Sequence, residues 1–326
     1  MKRVLSVIII MALIISFAGC KSNSSKSGNT YKATDMNIAC LKGPTGIGMS
    51  KLMEDSANKK TENNYTFTVA ASADEISGKI VTGEINIASV PTNLAAKLYS
   101  KTNGKIQVLA VNTLGVLSII ENGNKIKTLK DLKGKTVYSI GQGSNPEYIL
   151  RHILQKNKLE NDVKIQFVAS NDELIAALVS GKAEVAMVAE PAATTVLSKK
   201  DSLRRVLSVN DEWDKLSEGK LMMGCIVALS SYVNENRDAV NKFLSEYEAS
   251  INFALSSPKE DSVFCEKYEI IPSAAIAEKA IPNCNLVFMS GKSIKKEIDG
   301  YFNALKEYSA ESIGGKIPGE DFYYEK

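Results

Sequence analysis

The stretch Met36-Asn37-Ile38-Ala39-Cys40-Leu41, directly upstream of the turn Gly43-Pro44-Thr45-Gly46, decides the fold class of this chain. The first stretch is largely apolar and is typical of a buried strand, whereas glycine and proline in the second indicate a tight turn. An amphipathic stretch follows at residues 47–59. A strand, a glycine-rich turn and a helix in this order predict the opening of an α/β domain.

This order of elements occurs twice along the chain. In the first half, strands are predicted at 65–70 and 85–90, helices at 74–82 and 91–98, and extended passages at 105–112 and 116–121. In the second half, a strand at 136–140 precedes the loop Gly141-Gln142-Gly143-Ser144-Asn145-Pro146, helices at 147–157, 171–180 and 190–197, and strands at 163–168 and 184–188. The sequence therefore predicts an α/β protein built from two halves.

A further extended passage at 222–229 is predicted to return the chain to the first half. The remainder is predicted to be mostly helical, at 238–256, 273–280 and 293–310. Two halves joined by two crossings predict a two-lobed body with a hinge near 112–116 and 223–226. Because ligands of open α/β sheets bind outside the carboxyl ends of the strands, loops from both halves are expected to meet at one cleft.

The loops that follow the predicted strands supply the candidate ligand-binding residues. They are Gly43, Pro44, Thr45, Gly46, Ser72, Thr92, Asn93, Gly141, Gly143, Ser144, Asn145 and Glu190. Glycine between a strand and a helix lets the backbone approach a ligand, and the helix N-terminus offers amides and partial positive charge. The hydroxyl and amide side chains supply neutral donors and acceptors, although the same residue types also cap helices.

Glu190 is the most informative charged candidate. A carboxylate at a cleft-facing strand end accepts hydrogen bonds from amino or ring N–H groups, and the alternative role is a first-turn acid stabilised by the helix dipole. Four arginines, Arg151, Arg204, Arg205 and Arg237, lie outside the predicted cleft loops. No arginine clamp for a strong anion is therefore predicted, which favours a neutral or amino-bearing heterocycle as the ligand.

The N-terminus predicts export from the cytoplasm. Met1-Lys2-Arg3 is followed by an apolar run at 4–18, which is too short for a membrane span and typical of a secretory signal. Its end, Ser16-Phe17-Ala18-Gly19-Cys20, resembles a bacterial lipobox, although Phe17 stands where leucine is usual. The resemblance implies a signal peptide at 1–19, lipidation of Cys20 and a flexible tether at 20–34; an ordinary secretory signal is the alternative.

Composition bounds the remaining classes of function. The 326 residues are 44% hydrophobic, enough to bury a full core, and carry a net charge of +3. Removal of Lys2 and Arg3 would leave 38 basic residues against 37 acidic ones, which makes nucleic acid a poor partner. The one histidine, His152, is expected to be half-exposed on a helix, and it leaves little room for histidine-rich metal sites or triads.

The cysteines show no CxxC spacing, so neither a zinc nor a redox motif is predicted. After Cys20, the chain contains Cys40, Cys225, Cys265 and Cys284. Two interpretations stay open for Cys265 and Cys284: a disulfide in an exported protein, or two small buried hydrophobic side chains.

Four segments occur in the order found in type II periplasmic solute-binding proteins of ABC transporters. They are Asp131-Leu132-Lys133-Gly134-Lys135, Gly141-Gln142-Gly143-Ser144, the run 178–184 with Ala189-Glu190-Pro191, and the tail 314–324. Over residues 36–324 the chain resembles this family, and within it the receptors for sulfonates, nitrate and thiamine-pyrimidine precursors. The resemblance implies a two-lobed fold with a hinge and an interlobe cleft, with lobe 1 at 35–113 and 226–326 and lobe 2 at 114–225.

The resemblance implies a lipid-anchored, extracytoplasmic binding protein of an ABC importer rather than an enzyme. It implies no cofactor and no metal, with the permease and ATPase subunits as partners. A thiamine-pyrimidine-like or other heterocycle is the expected ligand, and a sulfonate- or nitrate-type anion is the alternative. An enzyme of the fungal pyrimidine-synthase type on the same fold is a further alternative, but it uses histidines and a cysteine-rich iron segment that this sequence lacks.

Overall fold

The computed structural model describes residues 31–216, 219–291 and 293–326. The predicted signal peptide at 1–19, the lipidated Cys20 and most of the tether at 20–34 lie outside these residues. Ala33–Lys326 form one compact unit.

The described residues form eleven strands and thirteen α-helices. The strands are β1 (Asp35–Leu41), β2 (Asn64–Ala70), β3 (Ile87–Pro91), β4 (Ile106–Thr113), β5 (Leu117–Asn122), β6 (Thr136–Ser139), β7 (Lys164–Phe167), β8 (Val185–Ala189), β9 (Leu203–Ser208), β10 (Gly224–Leu229) and β11 (Leu286–Ser290). The helices are α1 (Pro44–Ile47), α2 (Ser50–Ala57), α3 (Asp74–Thr82), α4 (Thr92–Lys101), α5 (Asn145–Lys156), α6 (Asn171–Ser180), α7 (Ala192–Leu197), α8 (Val209–Asp214), α9 (Ser230–Glu235), α10 (Arg237–Ser256), α11 (Pro258–Lys267), α12 (Ala274–Ala280) and α13 (Ser293–Tyr308).

The strands form two separate sheets. The first sheet has the order β11-β4-β10-β3-β1-β2, and the second has the order β7-β6-β8-β5-β9. In the first sheet β1 runs parallel to β2 and β3, and in the second β6 runs parallel to β7 and β8. The first sheet therefore takes strands from both ends of the described chain, as expected for a two-lobed α/β fold, and the second takes strands from its middle.

The chain crosses between the sheets twice, after β4 and before β10, and the two crossings lie side by side. The Met223 amide donates to the Thr113 carbonyl at 3.0 Å, and the Thr92 amide donates to the Met223 carbonyl at 3.1 Å. Gly115, in the first crossing, donates its amide to Asn210 Oδ1 at 3.2 Å. The crossings fall where the hinge is predicted; the lobe boundaries at 113/114 and 225/226 stay a prediction.

Helix α13 packs against helix α5 of the second half and so joins the two halves. Here His152, Trp213, Tyr301 and Tyr308 form what we call the aromatic block. The ring centroids of His152 and Trp213 lie 5.2 Å apart, those of His152 and Tyr308 5.7 Å apart, and those of Trp213 and Tyr301 6.0 Å apart. The prediction of a half-exposed His152 is wrong, because this packing leaves the residue only 1% exposed.

Most predicted elements agree with the observed ones within two or three residues, and the helices at 74–82 and 171–180 agree fully. The predicted helix at 47–59 is instead two helices, α1 and α2, separated by Gly48 and Met49. Five observed elements are not predicted by the sequence pattern: the edge strands β9 and β11 and the helices α8, α9 and α11. Two adjacent arginines interrupt the apolar pattern of β9, an edge strand that is covered on one side only. Strand β11 is apolar but only five residues long, and it lies in the region predicted to be mostly helical.

The four described cysteines are free and buried, so Cys265 and Cys284 follow the second of the two interpretations. Burial raises the pKa of the Cys40 and Cys225 thiols to about 12, which keeps both protonated. In the described part of the chain, no helix has the length and apolar character needed to cross a membrane.

Candidate ligand-binding cleft

A cleft of about 470 Å³ lies between the two halves of the molecule, at the carboxyl ends of the parallel strands. Residues of the first half line it, together with residues of both crossings and of the loop after β6. The lining residues are Pro44, Thr45, Ala73, Asp74, Pro91, Asn93, Leu94, Lys97, Thr113, Val116, Ser144, Asn145, Pro146 and Met223. Five predicted binding residues are thus brought together: Pro44, Thr45, Asn93, Ser144 and Asn145.

The turn after β1 supplies side chains to the cleft. Gly43 has a φ of 90°, which favours glycine, and a Cβ placed there would lie 3.8 Å from Pro191 Cδ. The Gly43 amide donates to the Ile270 carbonyl at 2.9 Å, and the Gly46 amide donates back to Gly43 at 2.9 Å. These amides are engaged within the protein, so the expected role of Gly43 and Gly46 as direct ligand contacts is corrected: they shape the turn that presents Pro44 and Thr45.

The loop after β6 forms the opposite wall. Gly141 has a φ of 79°, and a Cβ there would lie 2.7 Å from Ser144 Oγ, so only glycine fits this position. Ser144 Oγ donates to the Gly141 carbonyl at 2.7 Å, and the Gly143 amide donates to Glu147 Oε2 at 2.7 Å. Gly141 and Gly143 therefore support the loop, while Ser144 and Asn145 line the cleft itself.

Helix α4 presents a mixed face to the cleft. Asn93 and Lys97 are four residues apart and therefore share one side of the helix, with Leu94 beside them. Lys97 is half-buried, and it forms no ion pair within residues 31–216, 219–291 and 293–326. It is the one basic residue that lines the described cleft, and exposed Asp74 is the one acidic residue.

Two asparagines connect the opposite walls of the cleft. Asn145 Nδ2 donates to Asn93 Oδ1 at 2.8 Å, and Asn93 Nδ2 donates to the Ser312 carbonyl at 3.3 Å. We call Ser312, Asn93 and Asn145 the amide relay. Asn145 is only 7% exposed, and its Oδ1 has no hydrogen-bond partner in the described structure.

Besides the four glycines, three predicted binding residues are not among those that line the cleft. Exposed Ser72 donates its backbone amide and its hydroxyl to Glu75 Oε1, both at 3.1 Å, and so serves the start of α3. Thr92 is fully buried at the start of α4. Glu190 is buried as well. Burial corrects the assignments of Thr92 and Glu190 to the ligand, and the hydrogen bonds to Glu75 correct that of Ser72.

The role predicted for Glu190 fails because both of its carboxylate oxygens are engaged. Oε1 accepts a hydrogen bond from Arg205 Nη2, and Oε2 accepts one from the Thr194 amide at 3.1 Å. Arg205 also donates to Ser118 Oγ at 2.6 Å. Glu190 is therefore a helix-start acid paired with an arginine across the second sheet, as in the alternative stated above.

Lys97, Asp74 and the apolar lining residues Leu94, Val116 and Met223 are not among the binding residues predicted from the sequence. The signal for Lys97 was available, because a helix beginning at residue 91 or 92 with Asn93 facing the cleft places residue 97 on the same face. The crossing residues Val116 and Met223 were assigned only to the hinge. No spacing in the sequence distinguishes a hinge residue that lines the cleft from one that does not.

The comparisons with known proteins agree with this architecture. Residues 104–261 match the family model described as NMT1/THI5 like. The chain is similar to a structure described as an ABC transporter from Parabacteroides distasonis, with a TM-score of 0.75 and 24% identity over 89% of this chain and 99% of the other. It is also similar to the periplasmic aliphatic sulphonate binding protein of Escherichia coli, with a TM-score of 0.71 and 14% identity over 89% and 92% of the two chains.

A binding protein of Brucella abortus is 20% identical to this chain over 200 residues, which are 61% of this chain and 59% of that protein. The chain thus matches about three fifths of the length of this curated relative. Together these findings confirm the predicted two-lobed α/β fold, which the chain shares with periplasmic binding proteins.

Proposed function

We propose that this protein is the substrate-binding lipoprotein of an ABC importer, which captures a small organic solute in its cleft and delivers it to the permease. The observation that carries the proposal is the cleft of about 470 Å³ lined by both halves of the molecule. A ligand held by both walls stabilises the closed arrangement, because only there does it contact both. The similar proteins named as binding proteins or as ABC transporter proteins support this function.

The extracytoplasmic location and the lipid anchor at Cys20 remain part of the proposal. They rest on the N-terminal sequence pattern and on the periplasmic location named for the similar Escherichia coli protein. Radiolabelled fatty acid incorporated into the wild-type protein but not into Cys20→Ser tests the anchor. A Cys20→Ser variant that still carries lipid would contradict this part.

The structure favours a different class of ligand from the one expected from the sequence. A heterocycle held by Glu190 was favoured from the sequence, but Glu190 is occupied by Arg205 and Thr194. Lys97 instead brings a positive charge to the cleft wall. This arrangement favours a ligand with an anionic group, in line with the sulfonate- or nitrate-type anion that is the alternative ligand expected from the sequence.

The enzyme alternative finds no support in the positions of the reactive residues. His152 lies in the aromatic block and the four described cysteines are buried, so these side chains do not line the cleft. The cleft is lined by amides, hydroxyls, one lysine, one aspartate and apolar side chains. These groups suit reversible binding.

The chain contains a single tryptophan, which provides the test. Trp213 contacts Tyr301 of α13 and His152 of α5, so its fluorescence is expected to change when the two halves move. The full-length protein is titrated with aminopyrimidines, alkanesulfonates, aromatic carboxylates and nitrate, and its thermal stability is measured in parallel. A ligand at about 100 times its Kd adds roughly 2.7 kcal/mol of stability. If no solute alters either signal, and none is released from the denatured protein, the proposed function is wrong.

A further inference from the structure

The amide relay fixes which atom of Asn145 remains for a ligand. The Ser312 carbonyl can only accept, so Asn93 must turn its Nδ2 towards it and its Oδ1 towards Asn145. Asn145 must then donate from Nδ2 to Asn93 Oδ1, so Asn145 Oδ1 takes no part in the relay. Neither side chain can flip without placing two acceptors or two donors against each other.

Asn145 Oδ1 is an acceptor, so its missing partner is a hydrogen-bond donor. Asn145 lines the cleft, is more than nine-tenths buried, and its Oδ1 is unpartnered among the described residues. A buried acceptor without a partner is costly, and a ligand N–H or O–H that reaches it removes this cost. Burial raises the pKa of Tyr301, and the nearby Asn145 side chain opposes that rise, but within the described residues neither the Tyr301 hydroxyl nor Asn145 Oδ1 has a hydrogen-bond partner.

Lys97 needs a hydrogen-bond acceptor, the opposite kind of group. Its ammonium has only donors, and it stands half-buried beside Leu94 and Pro91 on a largely apolar wall. An acidic group of a ligand is the partner that such a lysine lacks. Asp74, at the same cleft, adds a second acceptor for a ligand N–H.

We propose that the amide relay and Lys97 together make the cleft selective for an organic acid that also carries an N–H or O–H donor on an apolar body. Lys97 binds the acidic group, and Asn145 Oδ1 binds the donor. Asn93 is a positioning residue that sets the orientation of Asn145 through Ser312. This inference rests on the proposed function, because it specifies the solute that the cleft captures.

The first experiment compares matched ligands on the wild-type, full-length protein by calorimetry. The probes are 4-aminobenzoate and 4-aminobenzenesulfonate, which carry both groups; benzoate and benzenesulfonate, which lack the donor; and aniline, which lacks the acid. Each probe with both groups is expected to bind about 10- to 100-fold more tightly than its partner that lacks one, the range for a hydrogen bond involving a charged group. The carboxylate and sulfonate arms show which acid the site prefers.

A second experiment identifies the solute that the protein carries. Small molecules are released by denaturing protein purified from its own cells and are analysed by mass spectrometry. A cargo with an acidic group and a donor supports the inference. A cargo that lacks either group overturns the inference and leaves the proposed function intact, whereas a protein that carries nothing and binds no probe contradicts the proposed function itself.

Variants separate binding from folding. Lys97→Met is expected to weaken the binding of 4-aminobenzoate by about 10- to 100-fold and to abolish the advantage of acids over aniline. Lys101→Met is the matched control, because Lys101 lies on the same helix one turn further on and is exposed. Equal affinities for the two variants would overturn the role of Lys97.

The relay has its own readout, the ratio of affinities for 4-aminobenzoate and benzoate. Asn145→Ala is expected to bring this ratio close to 1, and Asn93→Asp is expected to lower it, because a carboxylate cannot donate to the Ser312 carbonyl. Tyr301→Phe is the control, since it removes only the hydroxyl next to Asn145. If Tyr301→Phe changes the ratio as much as Asn145→Ala does, Asn145 Oδ1 serves Tyr301 rather than the ligand and the inference is wrong.

Discussion

Two of the contacts that join the halves of this protein differ in kind. At the cleft, the hydrogen bond from Asn145 to Asn93 bridges the walls. In the aromatic block, α13 of the C-terminal region packs against α5 and Trp213. A hydrogen bond can be exchanged for one to water or to a ligand at little net cost, whereas buried aromatic surface cannot. The two halves are therefore expected to separate more readily at the cleft than at the aromatic block, where movement shifts the rings against one another.

The largest effect is expected from the aromatic block. Trp213→Ala removes a fully buried side chain and is expected to lower the free energy of unfolding by about 3–5 kcal/mol. Urea denaturation followed by far-ultraviolet circular dichroism measures this loss. A loss no larger than that of Asn93→Ala would break the comparison, because the two contacts would then be equal.

The ion pair between Arg205 and Glu190 offers a third contact for comparison. Arg205→Met tests whether this pair contributes as much to the free energy of unfolding as the aromatic block, or as little as the hydrogen bond from Asn145 to Asn93. The Glu190 side chain is fully buried, so Arg205→Met leaves an unpaired buried carboxylate and is expected to cost about 3–5 kcal/mol. The double variant Arg205→Met/Glu190→Gln is expected to recover a large part of this cost. Urea denaturation of the three proteins provides the measurement, and absence of any recovery would show that packing rather than charge is lost.

Asp261 gives a polar contact within the first half alone. It is fully buried, accepts a hydrogen bond from Ser50 Oγ at 2.5 Å, and burial raises its pKa from 3.8 to about 6. The folded state thus holds the proton more tightly than the unfolded state. Its stabilising effect is complete below pH 3.8 and is lost as the pH rises to about 6, by about 3 kcal/mol in all.

The variant Asp261→Asn is expected to remove this pH dependence and to raise stability at pH 7. Urea denaturation of wild type and variant between pH 4 and pH 7 measures the difference. Asp172→Asn, at an exposed residue in the first turn of α6, is the control. Parallel pH profiles for wild type and Asp261→Asn would show that Asp261 does not titrate in this interval.

The smallest effect is expected from the hydrogen bond between Asn145 and Asn93, which bridges the cleft walls. Asn93→Ala removes the hydrogen bond between the walls and the one to the Ser312 carbonyl, and at about 1 kcal/mol each it is expected to cost about 2 kcal/mol in unfolding. Small-angle X-ray scattering of the ligand-free protein is expected to show a larger radius of gyration for this variant. If the radius of gyration is unchanged and the free energy of unfolding falls by more than about 3 kcal/mol, this hydrogen bond contributes to stability as strongly as the aromatic block does.

The sequence predicted the parts of the fold that depend on local patterns. The helices at 74–82 and 171–180 follow from apolar spacing, and the turns at Gly43 and Gly141 follow from glycine after a strand. The aromatic block was not predictable, because it joins residues from α5, α8 and α13 that are far apart along the chain. His152 was misplaced for the same reason.

The candidate site was predicted in its location more than in its chemistry. Asn93 and Asn145 were named singly, but their hydrogen bond to each other depends on how the two sheets face one another. Glu190 was assigned to the ligand because its partner Arg205 lies on β9, an edge strand that the pattern did not reveal. A charge can be assigned to a ligand only after its partners within the protein are known.

The position of Ser312 has a consequence for how the protein is made. Residues near the C-terminus brace α4 and β4: Ser100 Oγ donates to the Gly314 carbonyl at 2.8 Å, the Tyr99 hydroxyl to Asp321 at 2.6 Å, and the Tyr324 amide to the Val108 carbonyl at 3.0 Å. These partners are synthesised after every strand of both sheets. A partly synthesised chain with both sheets present therefore still lacks the carbonyl that orients Asn93, so the selectivity proposed above requires the synthesis of Ser312.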